Sequence, residues 1–234
     1  MSWGCRSLPV DELRRRLASF PPAGETGPPD PVWRRVVACL AADSRPGVAK
    51  AARELGRRLD AALAEHHRLL DIYAPEHRLW RLGYRLVVGI DEAGRGPLAG
   101  PVVAAAVILA PGTMLPGLDD SKVLSSGQRE RVCAAIKQQA LAVGVASAGP
   151  RYIDRHNVLQ ATVYAMGAAL SRTGLTPDHA LIDAVKLPLA VPQWNLIQGD
   201  ARSASIAAAS VVAKVTRDRL MDALDRRFPE YGFS

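Results

Sequence analysis

Residues 86–90 form a continuous apolar run of strand length that ends abruptly in two adjacent carboxylates, Asp91 and Glu92. The chain then enters Ala93-Gly94-Arg95-Gly96-Pro97-Leu98-Ala99-Gly100-Pro101, and a second apolar run fills 102–109. Runs of this kind belong to buried strands, so the segment calls for a covered sheet. Acids at a strand end suit metal ions. A Gly-Arg-Gly turn lets backbone amides approach a bulky polar ligand closely. Side by side, the two features point to metal-assisted chemistry on a phosphate-bearing substrate.

The remaining pattern sets the fold class. Residues 126–140 read as a helix with Ser125 or Ser126 as N-cap. A strand is expected at 141–146, a helix at 157–170, short strands at 180–182 and 196–197, and a long helix over 203–228. Strands alternating with helices make 86–234 an α/β domain. Residues 1–85 show no strand signal. They read as an all-helical N-terminal extension, with a short helix at 9–18 and a Pro/Gly-rich linker at 21–31. Helical periodicity follows to about 82, as in Val48, Ala51, Leu55, Leu59 and Leu63, with Gly47 and Pro75 as boundaries.

The formal net charge of +7 favours polyanionic partners, nucleic acid first and anionic membrane surfaces second. Residues 1–85 carry 15 basic and 10 acidic side chains, so most of that excess lies in the extension. Cys5, Cys39 and Cys133 have neither disulfide nor zinc spacing, and the five histidines (66, 67, 77, 156 and 179) lack metal-ligand spacing. With no secretory leader and no apolar run of membrane-spanning length, the expectation is a cytoplasmic, monomeric protein with no membrane partner.

Inside the α/β part, Asp91 and Glu92 close the first strand and Asp183 closes 181–182. Asp200 lies between the strand at 196–197 and the last helix. Ligands of open α/β sheets gather outside strand ends, so these acids have a common place to meet. Neighbouring side chains on a strand point to opposite faces, so Asp91 and Glu92 share a site only if the strand stops near Ala93-Gly94. Four carboxylates together repel unless divalent cations neutralise them, and an all-oxygen set suits Mg²⁺ or Mn²⁺. Each acid also has a plain structural use: Asp200 as a helix cap, Asp183 and Asp91-Glu92 as turn residues.

The run 90–103 closely resembles the signature of ribonuclease HII, the type 2 ribonuclease H. Asp120-Ser121-Lys122, Leu181-Ile182-Asp183, Gly199-Asp200 and the run 205–218 match in order. The resemblance implies a ribonuclease H-like fold, a mixed five-stranded sheet flanked by helices. It implies Asp91, Glu92, Asp183 and Asp200 as catalytic, metal-binding carboxylates for Mn²⁺ or Mg²⁺, two ions about 4 Å apart. The implied substrate is an RNA–DNA hybrid or ribonucleotide-containing duplex DNA, cut on the 5′ side of a ribonucleotide to leave a 5′-phosphate. Gly94, Arg95 and Gly96 would read the ribose, and Lys122 and Lys214 would contact phosphates, though both also suit an ordinary surface. Ser121, Ser203 and Ser205 read as caps or packing, and Ala207, Ala208 and Ala209 as close helix–sheet packing. Asp119 and Asp120 are spare acids near the site.

Two departures from the family pattern bear on these expectations. Ala184 stands where glycine usually follows the third acid, so a different local turn is expected. After 229–233 the family continues into a His-Lys-Gly-Tyr segment, whereas this sequence ends at Ser234. The expectation is a C-terminally truncated domain with weaker duplex binding, and the alternative is a hybrid-binding protein with impaired catalysis. A phosphate-loop nucleotide hydrolase is disfavoured, since no Gly-Lys-Ser/Thr follows the turn.

Overall fold

The computed structural model of the chain describes residues 9–18 and 31–233. The linker expected at 21–31 lies outside the described residues except for Pro31, and Cys5 lies outside them altogether. The chain divides into two compact units, 1–68 and 69–234. No helix among the described residues is long and apolar enough to cross a membrane.

The first unit is built from α1 (Val10–Ala18), α2 (Pro31–Ala41) and α3 (Pro46–Ile72). One apolar stripe from each helix supplies its core: Leu13 and Leu17, Val36 and Leu40, then Val48, Ala52, Leu55 and Leu59. The link between α2 and α3 is fixed by Asp43, whose carboxylate accepts from the backbone N–H and the guanidinium of Arg45 at 2.8–3.0 Å.

The second unit takes the last residues of α3 and then α4 (Ala74–Arg81). Five strands follow, β1 (Val87–Ala93), β2 (Val102–Ile108), β3 (Ala142–Ala148), β4 (His179–Asp183) and β5 (Gln193–Leu196). They form one mixed sheet in the order β3-β2-β1-β4-β5. The β1–β2 and β2–β3 pairs are antiparallel, whereas β1–β4 and β4–β5 are parallel. Three helices flank this sheet, α5 (Ser126–Gln139), α6 (Pro150–Ser171) and α7 (Ala204–Arg227). The expected mixed five-stranded fold is present.

The apolar strand runs have no exposed face because a helix layer covers each side. Ala105 and Val107 point into a core with Ala207, Ala208, Val211 and Val212 of α7 and Ile136 of α5. Val88, Ile90, Ala104 and Ala106 point the other way, onto Ala161, Ala165 and Met166 of α6. Each buried Val, Leu or Ile contributes roughly 1.5–3 kcal/mol, so these two layers dominate the stability of the unit. Alanine on both β2 and α7 lets helix and sheet approach closely, as the sequence at 207–209 predicts. At Gly89 the approach is extreme: a Cβ there would lie 2.0 Å from the backbone carbonyl carbon of Ser205.

Three elements differ from the sequence expectation. Helix α6 begins at Pro150, before the expected 157, and breaks at Asn157, which adopts φ 67°. The Asn157 side chain accepts from the backbone N–H of Gln160 at 3.0 Å, so this residue caps the second half of the helix. Strand β5 lies at Gln193–Leu196, ahead of the expected 196–197. Strand β1 runs on through both acids to Ala93.

Candidate active site

The three parallel strands set the geometry. Pairing of β1 with β4 ends at Ile90–Ile182, and pairing of β4 with β5 ends at Asp183–Leu196. Asp91 and Asp183 are therefore the next residues on adjacent parallel strands. The chain leaving β5 reaches Asp200 in the short 3₁₀ turn Gly199–Ala201. All three acids lie at carboxyl ends of parallel strands, where α/β sheets hold ligands.

On its other side β1 stays paired with β2, Asp91 opposite Ala105 and Glu92 opposite Ala104. Both acids thus sit within a regular strand and leave opposite faces. Asp91 turns toward α7, where the Ser210 hydroxyl partly offsets the rise in its proton affinity. Because β4 pairing has already ended, the charge of Asp183 acts on both Asp91 and Glu92.

Each carboxylate has a distinct setting. Asp91 is buried, and its proton affinity is raised well above the usual range by burial, then by the charges of Glu92 and Asp183. Ser210 Oγ lies 2.9 Å from the buried Ser121 Oγ. Glu92 is raised by burial and by Asp183, against the lowering effect of Arg95, whose guanidinium is 3.8 Å away. Its buried Oε2 has no hydrogen-bond partner among the described residues. Asp183 is raised by burial and by Asp200, while its Oδ1 accepts the Gly199 N–H at 2.8 Å. Asp200 is buried; its Oδ2 accepts from Lys122 Nζ at 2.6 Å and its Oδ1 from the Ala201 N–H at 3.1 Å. Ser203, not Asp200, caps α7 by accepting from the Ile206 N–H at 3.3 Å.

Ala184 takes φ 48°, the left-handed conformation that glycine favours. The alanine therefore does not force the turn after Asp183 out of that region; the turn is kept at a steric cost of about 1–2 kcal/mol.

The glycine-rich turn stands beside the acids. Gly94 adopts φ 95°, and a Cβ there would lie 2.3 Å from Arg217 Nε and 2.5 Å from Pro101 O. Arg217 is buried on α7, donating from Nε to Pro101 O at 3.2 Å and from Nη2 to Ala99 O at 3.0 Å. It clamps the far limb of the turn, a role the sequence reading missed because a charged residue on a helix ordinarily faces solvent. Gly96 differs from Gly94: a Cβ there would meet nothing within 4 Å. Arg95 is exposed.

The two expected phosphate lysines are both engaged within the chain. Lys122 bridges Asp200 at 2.6 Å and Asp120 at 4.0 Å. Lys214, one helical turn beyond Ser210, holds Asp218 at 2.6 Å, and Arg129 reaches the same carboxylate at 3.4 Å. Of the spare acids, Asp120 accepts the Lys122 backbone N–H at 2.8 Å and adds to the upward shift of Asp183. Asp119 accepts the Asp120 N–H at 2.9 Å.

Fit to a divalent cation can be judged from these contacts. Three carboxylates bind protons more tightly because of burial and one another's charge, one buried oxygen is unpaired, and a lysine ammonium stands on the fourth acid. Each is what an all-oxygen site short of positive charge displays. The side chains share a neighbourhood without closing into a cage. Among the described residues no three His, Cys, Asp or Glu side chains are grouped tightly enough to hold one ion.

The ribonuclease HII family model matches residues 88–234, a span that contains the glycine-rich turn and the four acids. The chain belongs to the ribonuclease HII family. Ribonucleases HII are endoribonucleases, and this chain is an enzyme of that class. It is 47% identical over 208 residues to ribonuclease HII of Geobacillus thermodenitrificans (strain NG80-2), covering 89% of this chain and 79% of that one. Ribonuclease H2 from Pyrococcus horikoshii OT3 is similar in structure, with TM-score 0.55 and 28% identity over 62% of this chain and 78% of that one. Bst-RNase HIII, solved in complex with Mn2+, shares the fold at TM-score 0.52 and 20% identity, covering 63% of this chain and 56% of that one.

Proposed function

We propose that the enzyme hydrolyses RNA paired with DNA, cutting on the 5′ side of a ribonucleotide, including a single one embedded in duplex DNA. Its cellular work on this reading is ribonucleotide removal and primer clearance. What supports the proposal is that Asp91 and Asp183 follow the last paired rungs of adjacent parallel strands, with Asp200 in the turn beyond β5, beside a Gly-Arg-Gly turn.

Asp91, Glu92, Asp183 and Asp200 would hold Mg²⁺ or Mn²⁺. Bound there, such ions supply an acidified water as nucleophile and offset charge on the leaving 3′ oxygen. The chain's own residues do the rest. The Ser210 hydroxyl favours the charged form of Asp91. The Gly199 N–H fixes Asp183. Lys122 offsets the charge of Asp200 and would be the first phosphate contact. Lys214 is the second phosphate contact and trades Asp218 for the backbone of the duplex.

Gly94, Arg95 and Gly96 would read the ribose. A 2′-hydroxyl both donates and accepts, and it separates RNA from DNA at a given position. Gly96 supports this reading, because nothing in the fold itself requires a missing Cβ there.

The test is a duplex carrying one ribonucleotide, incubated with Mg²⁺ or Mn²⁺ and sequenced at the cut. The expected product has a 5′-phosphate on the ribonucleotide, and Asp91→Asn abolishes it. Firm binding of the duplex without a cut in either ion would instead identify a hybrid-binding protein.

A further inference from the structure

Glu76 carries a carboxylate with no solvent exposure, on α4, well before the sheet begins. Its Oε1 accepts from Ser203 Oγ at 2.5 Å, Ser205 Oγ at 2.5 Å and the Ser205 backbone N–H at 2.9 Å. These donors belong to the N-cap and the first turn of α7, the helix that also carries Ser210. A charge buried this completely persists only where fixed donors hold it. Here the positive end of a 24-residue helix adds to those donors.

Capping alone does not call for this arrangement. Ser203 already satisfies the Ile206 N–H, and Glu76 keeps a second buried oxygen, Oε2, with no partner among the described residues. What the contact does fix is the short turn just upstream. The Ser203 N–H donates to Gly199 O at 2.9 Å, and the Gly199 N–H donates to Asp183 at 2.8 Å. The turn carrying Asp200 is therefore held by Asp183 at one end and, through Ser203, by Glu76 at the other.

We infer that Glu76 is a positioning residue that sets the place of Asp200 by locking the start of α7. The inference rests on the reading of Asp200 as a metal-holding acid. Glu76 itself meets neither substrate nor ion, since it is sealed inside the second unit.

Glu76→Gln retains the shape and one acceptor oxygen while removing the charge. In the chain of 234 residues this variant should lower kcat about tenfold and weaken Mn²⁺ binding to the protein alone by a similar factor. KM for the ribonucleotide duplex should stay within about twofold, because the glycine turn is untouched. Calorimetric Mn²⁺ titration, steady-state kinetics and a thermal melt give the three readouts. A Gln variant with wild-type kcat and wild-type Mn²⁺ affinity overturns the inference. So does a kcat loss that disappears once divided by the folded fraction, the signature of a plain structural staple. Glu76→Ala extends the series, and if it fails to fold, the Gln variant still decides. A wild-type protein that neither binds Mn²⁺ nor cuts fails the reading of Asp200 first, and this inference falls with it.

Discussion

Two glycines two residues apart do different work, and substitution separates them. Gly94 is required by the fold, through its φ of 95° and the guanidinium of Arg217 beside it. Gly94→Ala should destabilise the protein by about 1–3 kcal/mol in urea unfolding, with loss of activity following. Gly96→Ala meets open space, so stability should change by less than about 0.5 kcal/mol. Cleavage at an embedded ribonucleotide should nevertheless fall at least tenfold if the ribose approaches that backbone; full activity in Gly96→Ala would end that assignment. Ala184 gives the opposite case. Its φ of 48° costs about 1–2 kcal/mol, and the extra freedom glycine gains when unfolded returns about 0.4–1 kcal/mol of that. Ala184→Gly should stabilise by about 0.5–1 kcal/mol, measured as a shift in the denaturation midpoint.

Among the elements, the contact between α7 and β1 is the one most sensitive to added bulk. A Cβ at Gly89 would be 2.2 Å from Ser205 O and 2.4 Å from Ile206 N, both backbone atoms that cannot rotate away. Gly89→Ala should cost about 3 kcal/mol and displace the start of α7, with a melt and a cleavage assay failing together. What the sequence revealed at this scale follows from how local each signal is. Helix α5 was legible because a serine stands at its start as an N-cap, and the structure completes Ser125 into a capping box with Gln128. The first half of α6 was not, since its residues are mostly polar and exposed and the regular spacing begins only at Val158. Strand β5, Gln-Trp-Asn-Leu, alternates polar and apolar residues but spans only four positions, too short a run to stand out, and is held by its backbone pairing to β4. Among the site residues, the four acids stood out by position at strand ends. Glu76 and Arg217 did not, because their burial depends on partners more than 100 residues away.

For the whole molecule, the collected negative charge should make the ion-free enzyme sensitive to pH. Burial and mutual repulsion raise Asp91, Glu92 and Asp183 above the usual carboxylate range. The unfolded chain thus releases these protons at lower pH than the folded chain does. Between the ordinary value near 4 and the raised values, the native state binds more protons, so rising pH lowers stability. Above that window the penalty is constant. In chelator, Asp91→Asn should therefore melt higher than wild type at neutral pH and show a shallower decline with pH. Added Mn²⁺ should raise the wild type and leave the variant nearly unmoved. Parallel melting curves for the two proteins across pH 4–8 would remove the electrostatic account of the site.

The last rung between β1 and β4, Ile90 against Ile182, acts as the ruler of the molecule. Side chains alternate along a strand, so deleting a single residue upstream in β1 would slide the ladder by about 3.3 Å and exchange its two faces. Glutamate would then meet the helix where aspartate belongs, and the apolar residues behind it would all point the wrong way. Frame, and not merely composition, is what this enzyme has to conserve between its first strand and its fourth.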